Sequence, residues 1–269
     1  MAEGEQSPRR LMVIGVIGAL VGIYLANYLN SATGTAWFSF IAALGAILAV
    51  YYGADAVRRV ASYGLGTGVP SIAMLSIGAG QIAVLLGLAV AKNYGVEVAG
   101  PVIVLILAAI IGLVNGVMAR RVIKMSITVL EMSMTEIAMA ASLLILGFST
   151  AIAGSFKFNP IMSYVVASGF IIAVFIVGGM AMFHPFNACL GPDERQTRTL
   201  HLALATGFIA MLVAGIAAGA INGVQAAVPT LIVAIAGWVI YYLRFYADTK
   251  QDAAAMLSTG LIPLEEEVA

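Results

Sequence analysis

Arg58 and Arg59 stand just ahead of Gly64, Gly66, Thr67 and Gly68 in the stretch AVRRVASYGLGTGVPS, residues 56–71. Guanidinium groups make strong charge-assisted hydrogen bonds to anions, and consecutive backbone N–H groups in an irregular turn form an anion-binding concavity. The chemistry on offer is capture of a small anion. It is not a nucleotide. A phosphate loop needs GxxxxGK[ST], or GxGxxG between a strand and a helix, whereas GLGTG lacks the lysine and lies between apolar segments. A plainer reading stands beside the anion site. The glycines and Pro70 make a compact turn between two helices, the arginines mark a membrane edge, and Asp55 pairs with Arg59 one helical turn away.

Elsewhere the chemistry thins out. His184, His201 and Cys189 are the only His and Cys side chains, and their spacing matches no zinc pattern, so metal binding through them is not expected and any metal ligands are unknown. His201 reads as an interfacial hydrogen-bonding group at a helix start. With a single cysteine there is no internal disulfide, and no hydroxyl or thiol is set against a base.

The elements that must carry these residues follow from composition. Of 269 residues, 62% are hydrophobic and 10% charged, against about a quarter charged in an ordinary soluble domain. A soluble core cannot hide so much apolar surface. The chain reads as an all-α membrane protein, a polytopic helical bundle embedded in membrane lipids. Net charge is zero, and nothing points to nucleic acid. A crossing needs about 20 apolar residues. Eight runs qualify: Leu11–Leu29, Thr35–Ala54, Ser71–Ala91, Val98–Ala119, Ile137–Ser155, Ile161–Met182, Thr199–Ile221 and Ala227–Leu243. The first follows Arg9 and Arg10 but is longer than a signal-peptide core, has no A-x-A site and leads straight into another span. It reads as a retained helix.

Lys and Arg fall on alternate connections. Arg9, Arg10, Arg58, Arg59, Arg120, Arg121, Lys124, Arg195, Arg198, Arg244 and Lys250 lie on one side, and only Lys92 and Lys157 on the other. By the positive-inside bias both termini are expected to be cytoplasmic. This gives a cytoplasmic tail at 1–10, one transmembrane domain at 11–246 and a second cytoplasmic tail at 247–269. Acidic residues share the asymmetry: Glu97 lies outside, while Asp55, Glu131, Glu136, Asp193, Glu194, Asp248, Asp252 and the run at 265–267 lie inside or at the inner margin. No charge falls in the middle of an expected span, so the chain alone makes a poor ion pump. Gln81, Asn115, Thr150 and Thr206 read mainly as hydrogen bonds between helices.

Gly18 with Gly22, Gly112 with Gly116, and Gly215 with Gly219 form GxxxG pairs, which serve packing inside the chain or against a neighbouring protein. RRVIKMSITVLEMSMTE, residues 120–136, places Arg120, Lys124, Thr128, Glu131 and Thr135 on one stripe and reads as an amphipathic interfacial helix, with a partner groove as the sharper alternative. FHPFNACLGPDERQTR, residues 183–198, reads as a structured loop whose Asn187, Asp193, Glu194 and Arg195 are candidates for partner docking. GADAVRRV and GVMARRV share a rhythm, each followed by I-A-M, consistent with a gapped duplication.

Three stretches together carry a resemblance. YGADAVRRVASYGLGTGVPSIAM (52–74), LGFSTAIAGSF (146–156) and HPFNACLGPDERQTRTL (184–200) resemble the integral-membrane C subunit of tetrahydromethanopterin S-methyltransferase, over nearly the whole chain. The resemblance implies a multisubunit methanogen complex. It moves a methyl group from methyl-tetrahydromethanopterin to coenzyme M through a corrinoid of the cobalamin type, and couples that step to sodium export. It further implies that the corrinoid sits on the A subunit, that the H subunit handles the pterin, and that the D and E subunits are this chain's membrane partners, with sodium shared within the complex. Coenzyme M then becomes the anion to weigh against Arg58, Arg59, Gly64, Gly66, Thr67 and Gly68, through its sulfonate. The alternatives are a free-standing secondary transporter or channel, or a passive membrane anchor. Sidedness is open to direct test: a membrane-impermeant maleimide should label Cys189 in inside-out vesicles, and labelling confined to right-side-out vesicles would reverse the orientation.

Overall fold

The computed structural model describes residues 6–63, 69–125, 127–187 and 195–258, with residues 186, 187 and 254–258 described by backbone alone. All of its regular structure is helical. Helix α1 (Pro8–Thr33) starts where Ser7 caps the backbone N–H of Arg10 at 3.3 Å with Pro at the first position, and stops at the left-handed Gly34. It is followed by α2 (Ser39–Tyr63), α3 (Val69–Asn93), α4 (Gly100–Arg121) and α5 (Leu130–Ala153). Two long helices close the chain, α9 (Gln196–Asn222) and α10 (Val224–Ser258, 35 residues).

Helix α5 is the centre of the bundle: from Ile137 to Ala153 nearly every residue is buried. It packs against α2, α3 and α4, while α1 leans on α2, and α9 joins the core to the outlying α10. The outer helices keep apolar faces exposed, among them Val13, Ile17 and Val21 on α1, Ile106 and Ile110 on α4, and Ile232 and Ile235 on α10. A helix apolar on both its packed and its open side belongs in a bilayer. Among the described residues seven helices are long and apolar enough to cross a membrane, or eight if a bent pair is one span.

That bent pair corrects the expected sixth span. Instead of one helix from Ile161 to Met182, α6 (Phe158–Ile161) runs on as a π-helical turn, Met162–Val166. Beyond Gly169, at φ 81, α7 (Phe170–Ala173), a second π-helical turn at Val174–Gly178 and α8 (Gly179–Asn187) form the other arm. The arms meet at 84°. A positive φ at this position favours glycine, and widened turns accompany breaks of this kind. The chain still changes ends across it. Lys92 donates to Asn159 at 2.8 Å at one end of the bundle, while Gln196, the first residue of α9, exchanges hydrogen bonds with Gln6, just ahead of α1, at the other.

Two further expectations change. The stripe from Arg120 to Glu136 is not one interfacial helix: α4 ends at Arg121, Lys124 takes a positive φ of 61°, and α5 begins at Leu130. The chain folds back as a tight helical hairpin, in which Glu131 faces Arg120 at 3.6 Å and Arg121 at 4.0 Å. β-Branched residues crowd the turn, and two small residues permit the fold-back. Cβ atoms on Gly112 and Gly116 would lie within 3 Å of the α5 backbone at Met134, Thr135 and Glu131. The other two GxxxG pairs also pack internally, Gly22 against Gly45 and Gly219 against Ala227. The loop expected at residues 183–198 is helical as far as Asn187, with Pro185 inside α8, and helical again from Gln196.

Candidate functional site

The charge expected at the membrane margin is inside the bundle. Asp55 belongs to α2, not to a loop after it, because that helix continues to Tyr63. Its side chain has no solvent exposure. A buried carboxylate is tolerated only when paired and hydrogen-bonded, and here three donors converge on it: Arg58 Nε at 3.3 Å, Arg59 Nε at 3.0 Å and Gln196 Nε2 at 2.8 Å. The helical spacing of three and four residues places both arginines over the aspartate. Gln196 arrives from α9, fixed in turn by the Gln6 backbone, whose N–H it accepts at 2.7 Å.

Arg59 reaches a second carboxylate, Glu136 in the second turn of α5, through its Nη2. The two guanidiniums and two carboxylates balance, and their side chains are at most 15% exposed. Helices α2 and α8 come close beside this cluster because residue 53 is glycine. A Cβ there would collide with Met182 Sδ and lie 2.9 Å from Ala140 Cβ. Hydroxyls of Tyr52, Ser133 and Thr199 are buried nearby in sequence without hydrogen-bond partners. Tyr52 lies within electrostatic reach of Glu136, Arg59 and Asp55.

A ring of surface pairs continues on the same end. Arg195, the residue before α9, meets Asp252 at 2.5 Å, Arg198 meets the same carboxylate at 3.6 Å, and His201 Nδ1 lies 2.7 Å from Asp248. His201 thus has the interfacial hydrogen-bonding role expected of it. At the opposite end the C-termini of α1, α5 and α9 surround a polar cleft of about 330 Å³ lined by Asn27, Asn30 and Asn222, with Lys157 also on its wall. Asn30 and Asn222 donate to the carbonyls of Gly154 and Ile152, at 3.1 and 2.6 Å.

Of the anticipated anion-site residues, Arg58 and Arg59 are drawn into the carboxylate cluster, and Gly64, Gly66, Thr67 and Gly68 lie outside the described residues. Of the docking candidates, Arg195 is in the surface ring, Asn187 ends α8, and Asp193 and Glu194 also lie outside, as does Cys189. Thr150 and Thr206 do not bridge helices: each donates to the carbonyl four residues back in its own helix. Gln81 Oε1 is buried without a partner.

The family model for the C subunit of tetrahydromethanopterin S-methyltransferase matches residues 1–266. The chain belongs to that family. It is 48% identical to the C subunit of Methanosarcina barkeri over 267 residues, covering 99% of this chain and 96% of the relative. It is 47% identical to that of Methanothermobacter thermautotrophicus and 39% identical to that of Methanocaldococcus jannaschii, each across 96% of this chain and 94% of the relative. In this membrane-spanning member of the C-subunit family, a neutral quartet of charges is enclosed by the helices at one end of the bundle, level with the first residue of α9.

The quartet predicts a rank order of stabilities. Asp55→Asn takes a buried counter-charge from both Arg58 and Arg59, leaving the cluster with a net positive charge, and should destabilise the chain by about 3 kcal/mol. Arg58→Gln removes one charge-assisted bond and should cost about 1.5 kcal/mol. Arg59→Gln and Glu136→Gln combined should cost less than the two separately, because each alone strands its partner. Thermal unfolding of the detergent-purified chain, followed by circular dichroism, checks this. An Asp55→Asn variant no less stable than Arg58→Gln would contradict the assignment.

Proposed function

We propose that this chain is a membrane component of the sodium-translocating complex that transfers a methyl group from methyl-tetrahydromethanopterin to coenzyme M. In this reading it supplies a share of the sodium path and a cytoplasmic docking surface. The corrinoid of the cobalamin type is carried by the A subunit, and the membrane partners are the D and E subunits. Both termini and the charged end of the bundle face the cytoplasm, in keeping with the positive-inside bias.

The observation that carries the sodium role is the Asp55–Arg59–Glu136 cluster within spanning helices. Sodium entering hydrocarbon needs oxygen ligands and a negative charge to balance it. Glu136 and Asp55 offer both, yet at rest Arg58 and Arg59 neutralise them. A cation therefore passes only when Arg59 is drawn away from Glu136, so this end works as a gate and not as an open conduit. A partner docking on the adjacent ring of Arg195, Arg198 and Asp252 is placed to do that. The mid-membrane acid is left to one of the sister membrane proteins. The polar cleft among the C-termini of α1, α5 and α9 lies at the far end of the same bundle, where helix dipoles favour cations.

Two measurements test the reading. The chain reconstituted alone in liposomes should carry no labelled sodium. In the assembled complex, Glu136→Gln should cut methyl-transfer-coupled sodium uptake by at least tenfold. Robust uptake by the isolated chain would favour the transporter alternative, and normal coupled uptake by the variant would remove Glu136 from the path.

Coenzyme M binding at Arg58 and Arg59, with the backbone of Gly64, Gly66, Thr67 and Gly68, is a separable proposal. The sulfonate has to compete with Asp55 and Glu136 for the guanidiniums. Losing one charge-assisted bond of about 1.5–3 kcal/mol should raise the KM for coenzyme M on the order of tenfold or more in an Arg58→Gln complex. An unchanged KM for both Arg58→Gln and Arg59→Gln in fully assembled complex would leave both arginines with a structural role alone.

A further inference from the structure

A second cavity shares Gln6 and Gln196 with the charge cluster but opens away from it. It encloses about 540 Å³ between α1, α2, α9 and α10, within the roughly 300–1,000 Å³ typical of small-molecule sites. Helices α2 and α9 pack together as its floor, α1 packed on α2 makes one side, and α10 packed on α9 makes the other.

The lining is sorted along the helix axes. At the charged end are Gln6, Tyr51, His201, Tyr241 and Arg244, and deeper in are Ile14, Leu44, Leu48, Leu204 and Phe208. Three helices repeat the order independently: Gln6 to Ile14 through α1, Tyr51 back to Leu44 on α2, and His201 to Phe208 on α9. Each stretch is about 10–12 Å at 1.5 Å per residue. A site polar at the interface and apolar toward the bilayer centre has the layout of a lipid.

Charge settles which kind. Arg195 and Arg198 are paired with Asp252, and His201 with Asp248. Among the described residues no carboxylate lies within ion-pair distance of Arg244. It is exposed at the mouth of the cavity and its guanidinium lies 5.5 Å from the centre of the Tyr241 ring. Tyr241 in turn stacks on Phe208 at 5.7 Å and leans on His201 at 6.0 Å, which gives the cavity a fixed aromatic wall.

We infer that this cavity binds a membrane lipid with an anionic headgroup, seated with its headgroup at Arg244 and one chain along Leu44, Leu48 and Leu204. The inference does not depend on the methyl-transfer reading. The recognised chemistry is a phosphate-type anion, and the apolar slot commits it to a lipid over a free ion.

Native mass spectrometry of the detergent-purified full chain, titrated with phosphatidylglycerol or phosphatidylcholine, tests it. The wild type should retain phosphatidylglycerol about fivefold better than phosphatidylcholine, the preference expected from one basic residue at the membrane surface. Arg244→Gln, an exposed substitution, should abolish the preference while leaving lipid binding. Leu44→Trp, which fills the slot, should lose both lipids, with thermal unfolding confirming that each variant is folded. Should Leu44→Trp not fold, Leu204→Phe takes its place with the same expectation. Millimolar inorganic phosphate should leave the lipid adducts in place. Equal retention of the two lipids by wild type, a preference undiminished in Arg244→Gln, or displacement of lipid by phosphate would each overturn the assignment.

Discussion

A carboxylate without solvent contact in an apolar bundle survives only if its neighbours replace the water it lost. Asp55 meets that demand with three donors from two helices. The demand propagates. Arg59 must be held over Asp55, so Glu136 and α5 are fixed relative to α2. Gln196 must reach in, so α9 begins where it does, and the segment before α1 is tied down through the Gln6 backbone. Four separated parts of the chain are thereby brought into register at one end. Without a hydrophobic effect to drive helices together inside lipid, such polar contacts and close packing are what select one arrangement of a bundle from many.

Close packing supplies the rest. Glycines sit where α1 meets α2, α2 meets α5 and α4 meets α5, at places where an added Cβ would lie within about 3 Å of the facing helix. Each lets one backbone approach another until dispersion contacts are dense. The same residues explain why α5 can be almost wholly enclosed, with neighbours close on several sides.

Much of this was legible in the sequence, for identifiable reasons. Eight apolar runs of the right length located the helices, because hydrocarbon thickness dictates their length, and the GxxxG pairs marked three internal contacts. The enclosure of Asp55 was not legible because a charged residue looks like the end of an apolar run, whereas α2 continues past it to Tyr63. The information that it is interior lies in its partners: Arg58 and Arg59 are local and readable at spacings of three and four, while Gln196 is 141 residues away along the chain, and Glu136, which holds Arg59, is 77 residues from that arginine. The fold-back after Arg121 was hidden for a related reason. A polar stripe at helical spacing scores the same whether the helix is straight or its two halves are stacked across a turn. The break at Gly169 lies within a run apolar on both sides, so hydropathy alone sees a single span there.

The length of α10 has a consequence for how the protein stands in its membrane. At 1.5 Å per residue its 35 residues extend about 52 Å, more than the roughly 40–45 Å of a bilayer with its headgroups. The surplus emerges at the end where Asp248 and Asp252 grip the start of α9. Those pairs brace the helix at the point where lipid no longer supports it. The final turns therefore form a short mast fixed at its foot by those pairs.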